Sequence, residues 1–278
     1  GNVINFCLNA FFLFVLHKGV AGVATATVIS RIINLVIVVL LGAVLVKAKQ
    51  HPERESNRAV MGQIIRIGLP SACETAIYNV SMTLVIRFLN QMDAQGLNVT
   101  ARSYTMQITN FSYCVGAALA QANAIMTGWH IGAKEYDACD RGTKKAAVIG
   151  VIVAVILETV FTLCSGWIMQ LFSKDPQMVS LVGKLLAIDI VLEIGRVTNL
   201  VYGQALKTSG DAVFPVVMGA CFMILCSVGG TYLFGIRLGL LAVGAYIGMT
   251  GDECVRAVGM YLRWKSGKWK EKGLVKSR

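Results

Sequence analysis

Ser71, Glu74, Tyr78 and Ser81 recur at i, i+3, i+7 and i+10 within residues 66–90, a stretch that is otherwise mostly apolar and of membrane length. That spacing sets four polar side chains along one helix face. Pro70 sits one turn ahead of Glu74. A proline is tolerated in such a helix when neighbouring helices or water satisfy the freed carbonyl. A charged side chain at the centre of a membrane helix costs at least ~2.5 kcal/mol by insertion scales, so it marks a cavity or a specific partner. The chemistry open to Glu74 is exchange of a proton for a cationic ligand. The alternative is a protonated Glu74 packed between helices in a structural role.

Two further sets invite similar chemistry. Asp189, Glu193 and Arg196 stand at i, i+4 and i+7 of a later apolar helix, with Lys184 off to one side. Either they neutralise one another and hold helices together, or they form a second carboxylate site for a proton, Na+ or a cationic substrate. Ser103, Gln107, Asn110, Cys114 and Gln121 form another polar stripe, readable as interhelical hydrogen bonding or as cavity lining. Glu74 is the first candidate for cation and substrate binding, and Glu193 and Asp189 are the second. Tyr78 shares the Glu74 stripe, and Gln107 and Asn110 offer hydrogen bonds that suit varied ligands. No resident metal site is expected: His17, His51 and His130 are scattered, and the eight Cys contain no CxxC. All the Cys but Cys139 lie in apolar segments and read as reduced packing residues.

Such residues must be positioned by a membrane bundle. The 278 residues are 55% hydrophobic and 15% charged, whereas a soluble domain carries about 25% charged residues. The fold class is all-α, a polytopic membrane protein with about eight transmembrane helices. A net charge of +11 would suggest nucleic acid in a soluble protein. Here Lys and Arg crowd into the loops and the tail, as orientation signals, and no nucleic-acid partner is expected.

Residues 2–16 are apolar but short for a span, and no charged n-region precedes them as in a signal peptide. They read as the front of a piece whose N-terminus lies upstream. Spans follow at 21–46, 66–90, 98–127, 146–169, 178–206, 216–234 and 240–263. Glu158 stands alone in the fourth of these. Asp252 and Glu253 can each reach Arg256 as a local ion pair. A polar linker at 47–58, a mixed-charge loop at 128–145, a loop at 207–215 and a basic, interfacial tail from Trp264 separate or follow the spans. By alternation these connections fall on one side and hold most of the Lys and Arg, which makes that side and the C-terminus cytoplasmic.

An internal repeat is visible. Leu13-Phe14 matches Leu233-Phe234, Gly19 matches Gly239 and Val23 matches Val243, at an offset of 220. The layout of span, glycine turn and small-residue-rich span recurs with them. The first two helices then correspond to the last two, as parallel repeats. This divides the chain into 1–46, the last two helices of an N-terminal lobe; 47–58, the interlobe linker; 59–263, a six-helix C-terminal lobe; and 264–278, the tail. Repeats of equal length would place about 160 further residues upstream.

Five stretches carry a resemblance: GVAGVATATVISR at 19–31, IGLPSACE at 67–74, GWHIGAK at 128–134, LKTSGDAVFP at 206–215 and RWKSGKWK at 263–270. In this order the chain resembles the multidrug and toxic compound extrusion (MATE) family of cation-coupled efflux transporters. The resemblance implies twelve helices in two six-helix lobes around a central cavity, of which this chain would hold helices 5 to 12. It places a carboxylate on the helix after the interlobe linker, which is Glu74. It also places an acidic residue on the tenth helix in some members, which is Glu193 or Asp189. Trp129 and His130 depart from the family's usual Gln and Asn, and Lys207 stands where Arg is common.

The resemblance further implies an antiporter in a bacterial plasma membrane. H+ or Na+ enters as a drug or toxic organic compound, often cationic, leaves by alternating access, with no cofactor beyond the coupling ion. The partners expected are a small-molecule substrate, the lipid bilayer and the missing N-terminal helices, without which the piece would not transport. One rival is a lipid-linked saccharide flippase or polysaccharide exporter of the same superfamily, for which Arg31, Lys184 and Arg196 could meet pyrophosphate. A membrane enzyme would need a set such as HExxH or GxSxG, and neither occurs. An assembly protein would leave the intramembrane carboxylates unexplained.

Overall fold

The computed structural model describes residues 2–47, 57–93 and 95–271. Most of the expected linker, 48–56, and the end of the tail, 272–278, lie outside the described residues. The regular elements among the described residues are all helical. The chain forms two compact units, Gly1–Val60 and Met61–Arg278.

In the first unit, α1 (Asn2–Ala10) widens into a π-helical turn at Phe11–Val15 and is followed by α2 (Gly19–Lys47). Asn5 donates to Ser30 Oγ at 3.0 Å. Arg31, which needs a polar setting, lies in the wall of a 100 Å3 cavity with Asn2, Asn5 and Asn34.

The second unit contains α3 (Asn57–Met92) from Met61 on, α4 (Leu97–Gly132), α5 (Tyr136–Leu163), the short α6 (Ser165–Met169), α7 (Pro176–Thr208), α8 (Val213–Phe222) and α9 (Leu241–Lys265). Pro70 lies inside α3. α8 continues through π-helical segments at Met223–Val228 and Thr231–Arg237. α7 is the central element, packed against α4, α5 and α9. Asp175 caps its start by accepting from the Gln177 N–H, with Pro176 in the first turn. Close approach needs small residues: a Cβ on Gly195 of α7 would stand 2.9 Å from the Cys254 nitrogen of α9. Gly244 and Gly248 likewise bring α9 onto the backbone of the π-helical segments.

The repeat is present in the backbone, but its register is 222 residues rather than 220. Leu16 N–H donates to the Phe11 carbonyl as Leu238 does to Leu233. Lys18 donates to Phe12 as Leu240 does to Phe234, and Gly22 to Lys18 as Gly244 does to Leu240. The left-handed residues His17 and Gly19 return as Gly239 and Leu241. The Asn5–Ser30 hydrogen bond returns as Ser227–Asp252. The paired Leu-Phe motifs lie two residues out of this frame, because the hydrogen-bonded turn, not side-chain identity, is what repeats.

Three connections differ from expectation. The loop at 128–145 reduces to residues 133–135, and that at 207–215 to residues 209–212. A 36-residue helix such as α4 is about 54 Å long at 1.5 Å per residue, against a hydrocarbon core of about 30 Å. Such a helix is therefore longer than the lipid core and takes in residues expected in the loop. The start of the tail also packs against the protein. Trp264 and Trp269 are both buried and stack at 4.2 Å. Trp264 Nε1 donates to Asp140, and Trp269 Nε1 to the Trp264 carbonyl.

The solvent pattern is inverted, as lipid demands. Along α5, Val148, Ile152, Ile156 and Val160 face outward, while Cys139, Thr143, Ala147, Gly150, Ala154 and Glu158 are buried. Among the described residues, Gly19–Val44, Tyr136–Leu163 and Val213–Arg237 are long and apolar enough to cross a membrane by composition alone. α7 and α9 carry the charged residues that lower their hydropathy.

One loop carboxylate makes a stability prediction. Asp93 accepts hydrogen bonds from the Leu97 and Asn98 N–H groups at the start of α4. Burial pushes its carboxyl up, but hydrogen bonds from Asn98, Leu97 and Gly96 outweigh this and hold it below its ordinary 3.8. A depressed folded value means that its contribution is present above pH 3.8 and is lost as pH falls through the folded value. Asp93→Ala lowers stability by about 1 kcal/mol near neutral pH. Thermal unfolding in detergent checks this, and the gap from wild type narrows in acid below that range.

Candidate functional site

Two adjoining cavities lie within the second unit. One of 230 Å3 has a polar wall of Arg102, Asn110, Asp189, Arg196, Ser227, Asp252, Glu253 and Arg256, with Met82, Met106, Met249 and Leu192 supplying apolar surface. The other, of 410 Å3, is lined by Ser71, Glu74, Thr75, Asn199, Gln204 and Lys207 among others. Tyr78, Tyr113, Arg196, Glu253 and Arg256 belong to both walls. α3, α4, α7 and α9 each place a polar stripe on this hollow, because a stripe facing lipid would leave its groups unsatisfied.

An ion network runs through the shared wall. Arg196 donates to Glu193 and lies 3.9 Å from Glu253. Its guanidinium stands over the Tyr113 ring, 5.9 Å from the centroid. Arg256 grips Asp252 with two hydrogen bonds of 2.9 and 3.0 Å and reaches Glu253 at 2.8 Å, as the α9 spacing predicts. Asn199 donates to Glu253, and Ser227, in a π-helical segment, donates to Asp252. Arg102 is only 7% exposed and contacts Met82 Sδ rather than a carboxylate.

Glu74 accepts from Lys207 Nζ at 2.6 Å, with each side chain 20% exposed. Gly219 leaves room for it: a Cβ there would stand 3.3 Å from Glu74 Oε1.

The sequence-predicted residues therefore separate into groups. Glu74, Tyr78, Asn110 and Asp189 line the hollow. Glu193 is fully buried behind it and joins it through Arg196. Gln107 is exposed and lines neither cavity. Ser81, at the end of the Glu74 stripe, is buried.

Glu158 does not stand alone. Its carboxylate and those of Asp189 and Glu193 lie within 4.8 Å of one another. The signal for this was in the α5 sequence. Ala147, Gly150, Ala154 and Glu158 form one small-residue stripe, and small residues mark the face that packs on neighbouring helices. Lys207, expected in a loop, is in the last turn of α7, which is why it reaches α3.

The comparisons with known proteins agree with this architecture. The MatE family model matches residues 70–233. The chain belongs to the MatE family. The Bacillus subtilis protein described as "Uncharacterized transporter YisQ" is 33% identical over 99% of this chain and 61% of its own length. Human multidrug and toxin extrusion protein 2 is 22% identical over 90% of this chain and 41% of its own. The crystal structure of the eukaryotic MATE transporter AtDTX14 superposes with a TM-score of 0.85 at 18% identity, covering 97% of this chain and 61% of that one. At that identity the structural likeness shows the fold alone. The chain spans about three-fifths or less of these MatE relatives. It is a multi-pass membrane protein of this family.

Proposed function

We propose that the full-length protein is a cation-coupled antiporter that exports drugs or toxic organic compounds, often cationic, with H+ or Na+ as the coupling ion. The observation that carries this reading is the Glu74–Lys207 pair in the wall of the 410 Å3 cavity. A carboxylate on a membrane helix is held by a tethered ammonium, the group a cationic substrate also brings. Entry of the substrate displaces Lys207 from Glu74, and the coupling cation later reverses the exchange. Met and aromatic side chains give the hollow adaptable contact, and Asn110 adds hydrogen bonds. Rocking of the N-terminal lobe, of which 1–46 supplies the last two helices, against the 59–263 lobe, joined by the 47–58 linker, supplies alternating access in a bacterial plasma membrane with the C-terminus cytoplasmic. Names such as multidrug and toxin extrusion protein among the relatives support the substrate class.

The flippase reading has less support. Of Arg31, Lys184 and Arg196, only Arg196 lines the hollow, and it, Arg256 and Lys207 in the same walls are each paired with a carboxylate, which leaves Arg102 as the wall cation without one among the described residues. Expression of the full-length protein in cells lacking their own pumps tests the proposal. Active efflux of a cationic dye and raised drug resistance support it. A well-expressed protein that moves no cationic dye or drug shifts the reading to lipid-linked saccharides.

A further inference from the structure

Arg102 of α4 lines the 230 Å3 cavity and not the one that holds Glu74 and Lys207. It is 7% exposed. Its Nε is buried with no acceptor, and its Nη2 meets Met82 Sδ of α3 at 3.6 Å. A thioether sulfur is a weak acceptor, whereas a guanidinium carries five N–H donors in a fixed fork and stays charged. Held in a membrane helix without an acceptor of opposite charge, such a group is costly and marks a site for a partner.

The carboxylates of the same wall do not serve it. Asp252 is held by Arg256 and Ser227, and Glu253 by Arg256 and Asn199. Asp189 keeps Oδ2 without a donor while Arg102 keeps Nε without an acceptor, so these atoms do not pair. Among the described residues Arg102 therefore has no carboxylate partner, in contrast to Arg196, Lys207 and Arg256. Met82, Met106, Met249 and Leu192 line the same cavity and give it apolar surface.

We propose that Arg102 binds a carboxylate carried by the exported compound, so that the hollow holds an amphoteric molecule by both ends. The guanidinium fork matches the two oxygens of a carboxylate, and the Met side chains adapt to an apolar body between the ends. The spacing follows from α3. Met82, which Arg102 contacts, is eight residues from Glu74, about 12 Å along the helix at 1.5 Å per residue. Tyr78 lies midway between them and lines both cavities. The ligand is thus elongated, with its ammonium at Glu74 and its carboxylate about that far away. A pyrophosphate brings more negative charge than one guanidinium offsets, in a wall that also holds Asp189, Asp252 and Glu253. Placing the ammonium at Glu74 rests on the antiport reading; the carboxylate site at Arg102 does not.

Equilibrium dialysis with the purified full-length protein tests the site. The probe is a para-linked biphenyl with an aminomethyl group at one end and a carboxylate at the other, which sets the two charges at about the required spacing. Its control is the corresponding carboxamide, alike in shape but without the negative charge. Wild type is expected to bind the carboxylate about 10-fold or more tightly than the carboxamide, the margin of a charge-assisted, two-bond contact. Arg102→Gln loses that preference and still binds the carboxamide, and Arg102→Lys keeps part of it. Glu74→Gln weakens both compounds alike and leaves the preference in place. Inorganic pyrophosphate does not displace the probe. Equal binding of the two compounds by wild type, an undiminished preference in Arg102→Gln, or displacement by pyrophosphate overturns the site. The first of these needs no variant, so the proposal stays refutable even where Arg102→Gln folds poorly. A preference that depends on Arg102, with Glu74→Gln binding both compounds as wild type does, removes Glu74 from substrate binding and leaves the Arg102 site standing. Weaker binding of both in Glu74→Gln, with no preference in wild type, does the reverse.

Discussion

Arg196→Met in the full-length protein abolishes export and costs about 3–5 kcal/mol of stability, the range for breaking a buried ion pair by deleting one partner. The reason is arithmetic of charge. Arg196 is the guanidinium that holds Glu193, faces Glu253 and offsets the carboxylates of Asp189 and Glu158 behind it. Without it, fully buried carboxylates face one another across α5 and α7. Arg196→Lys restores part of the stability through its charge but not the geometry, because an ammonium cannot reproduce the planar fork that spans Glu193 and Glu253. Melting in detergent and dye efflux from cells read the two effects separately. An Arg196→Met protein that melts with wild type and still exports would show that the network is neither structural nor functional.

The second large effect is the opposite in kind: function lost with the fold kept. The Glu74–Lys207 pair borders an open cavity and is part-exposed. Its net worth to stability is therefore about 0–1 kcal/mol, as for ion pairs that keep water. Glu74→Gln keeps expression and melting behaviour close to wild type but loses the negative charge that meets the substrate, and export of cationic dyes falls more than about tenfold. Lys207→Gln separates this account from a merely structural pair. It removes the tethered competitor, so cationic substrates bind more tightly, KM falls, and turnover falls with it because release slows. An unchanged KM in Lys207→Gln, or wild-type export by Glu74→Gln, removes the pair from the mechanism.

Much of this was legible before any fold was known. Charge too sparse for a soluble domain and long apolar runs with polar stripes led to a helical membrane bundle. The i, i+4, i+7 spacing on α7 led to Asp189, Glu193 and Arg196. What was hidden is what depends on contact between helices. Glu158 looked solitary because its partners lie on α7, and sequence spacing reports only neighbours on the same helix. Lys207 looked like a loop residue because KTSGD reads as a turn, whereas α7 runs on to Thr208. Gln107 and Asn110 lie three residues apart in one stripe, yet only Asn110 meets a cavity. α4 packs on both α5 and α7, so its faces divide more finely than periodicity shows. The repeat was seen through matching letters and lay two residues out of register, since the feature that repeats is a hydrogen-bonded π-helical turn that many residues can form.

The most direct test of the central claim is transport by the full-length protein reconstituted in liposomes. A cationic dye is placed on one side, and an inward gradient of H+ or of Na+ is imposed in separate runs. The account predicts dye movement against its own gradient, driven by one of the two ions, abolished when that gradient is collapsed and absent in Glu74→Gln. Dye that only equilibrates under both gradients, in a preparation shown to be folded, would contradict it.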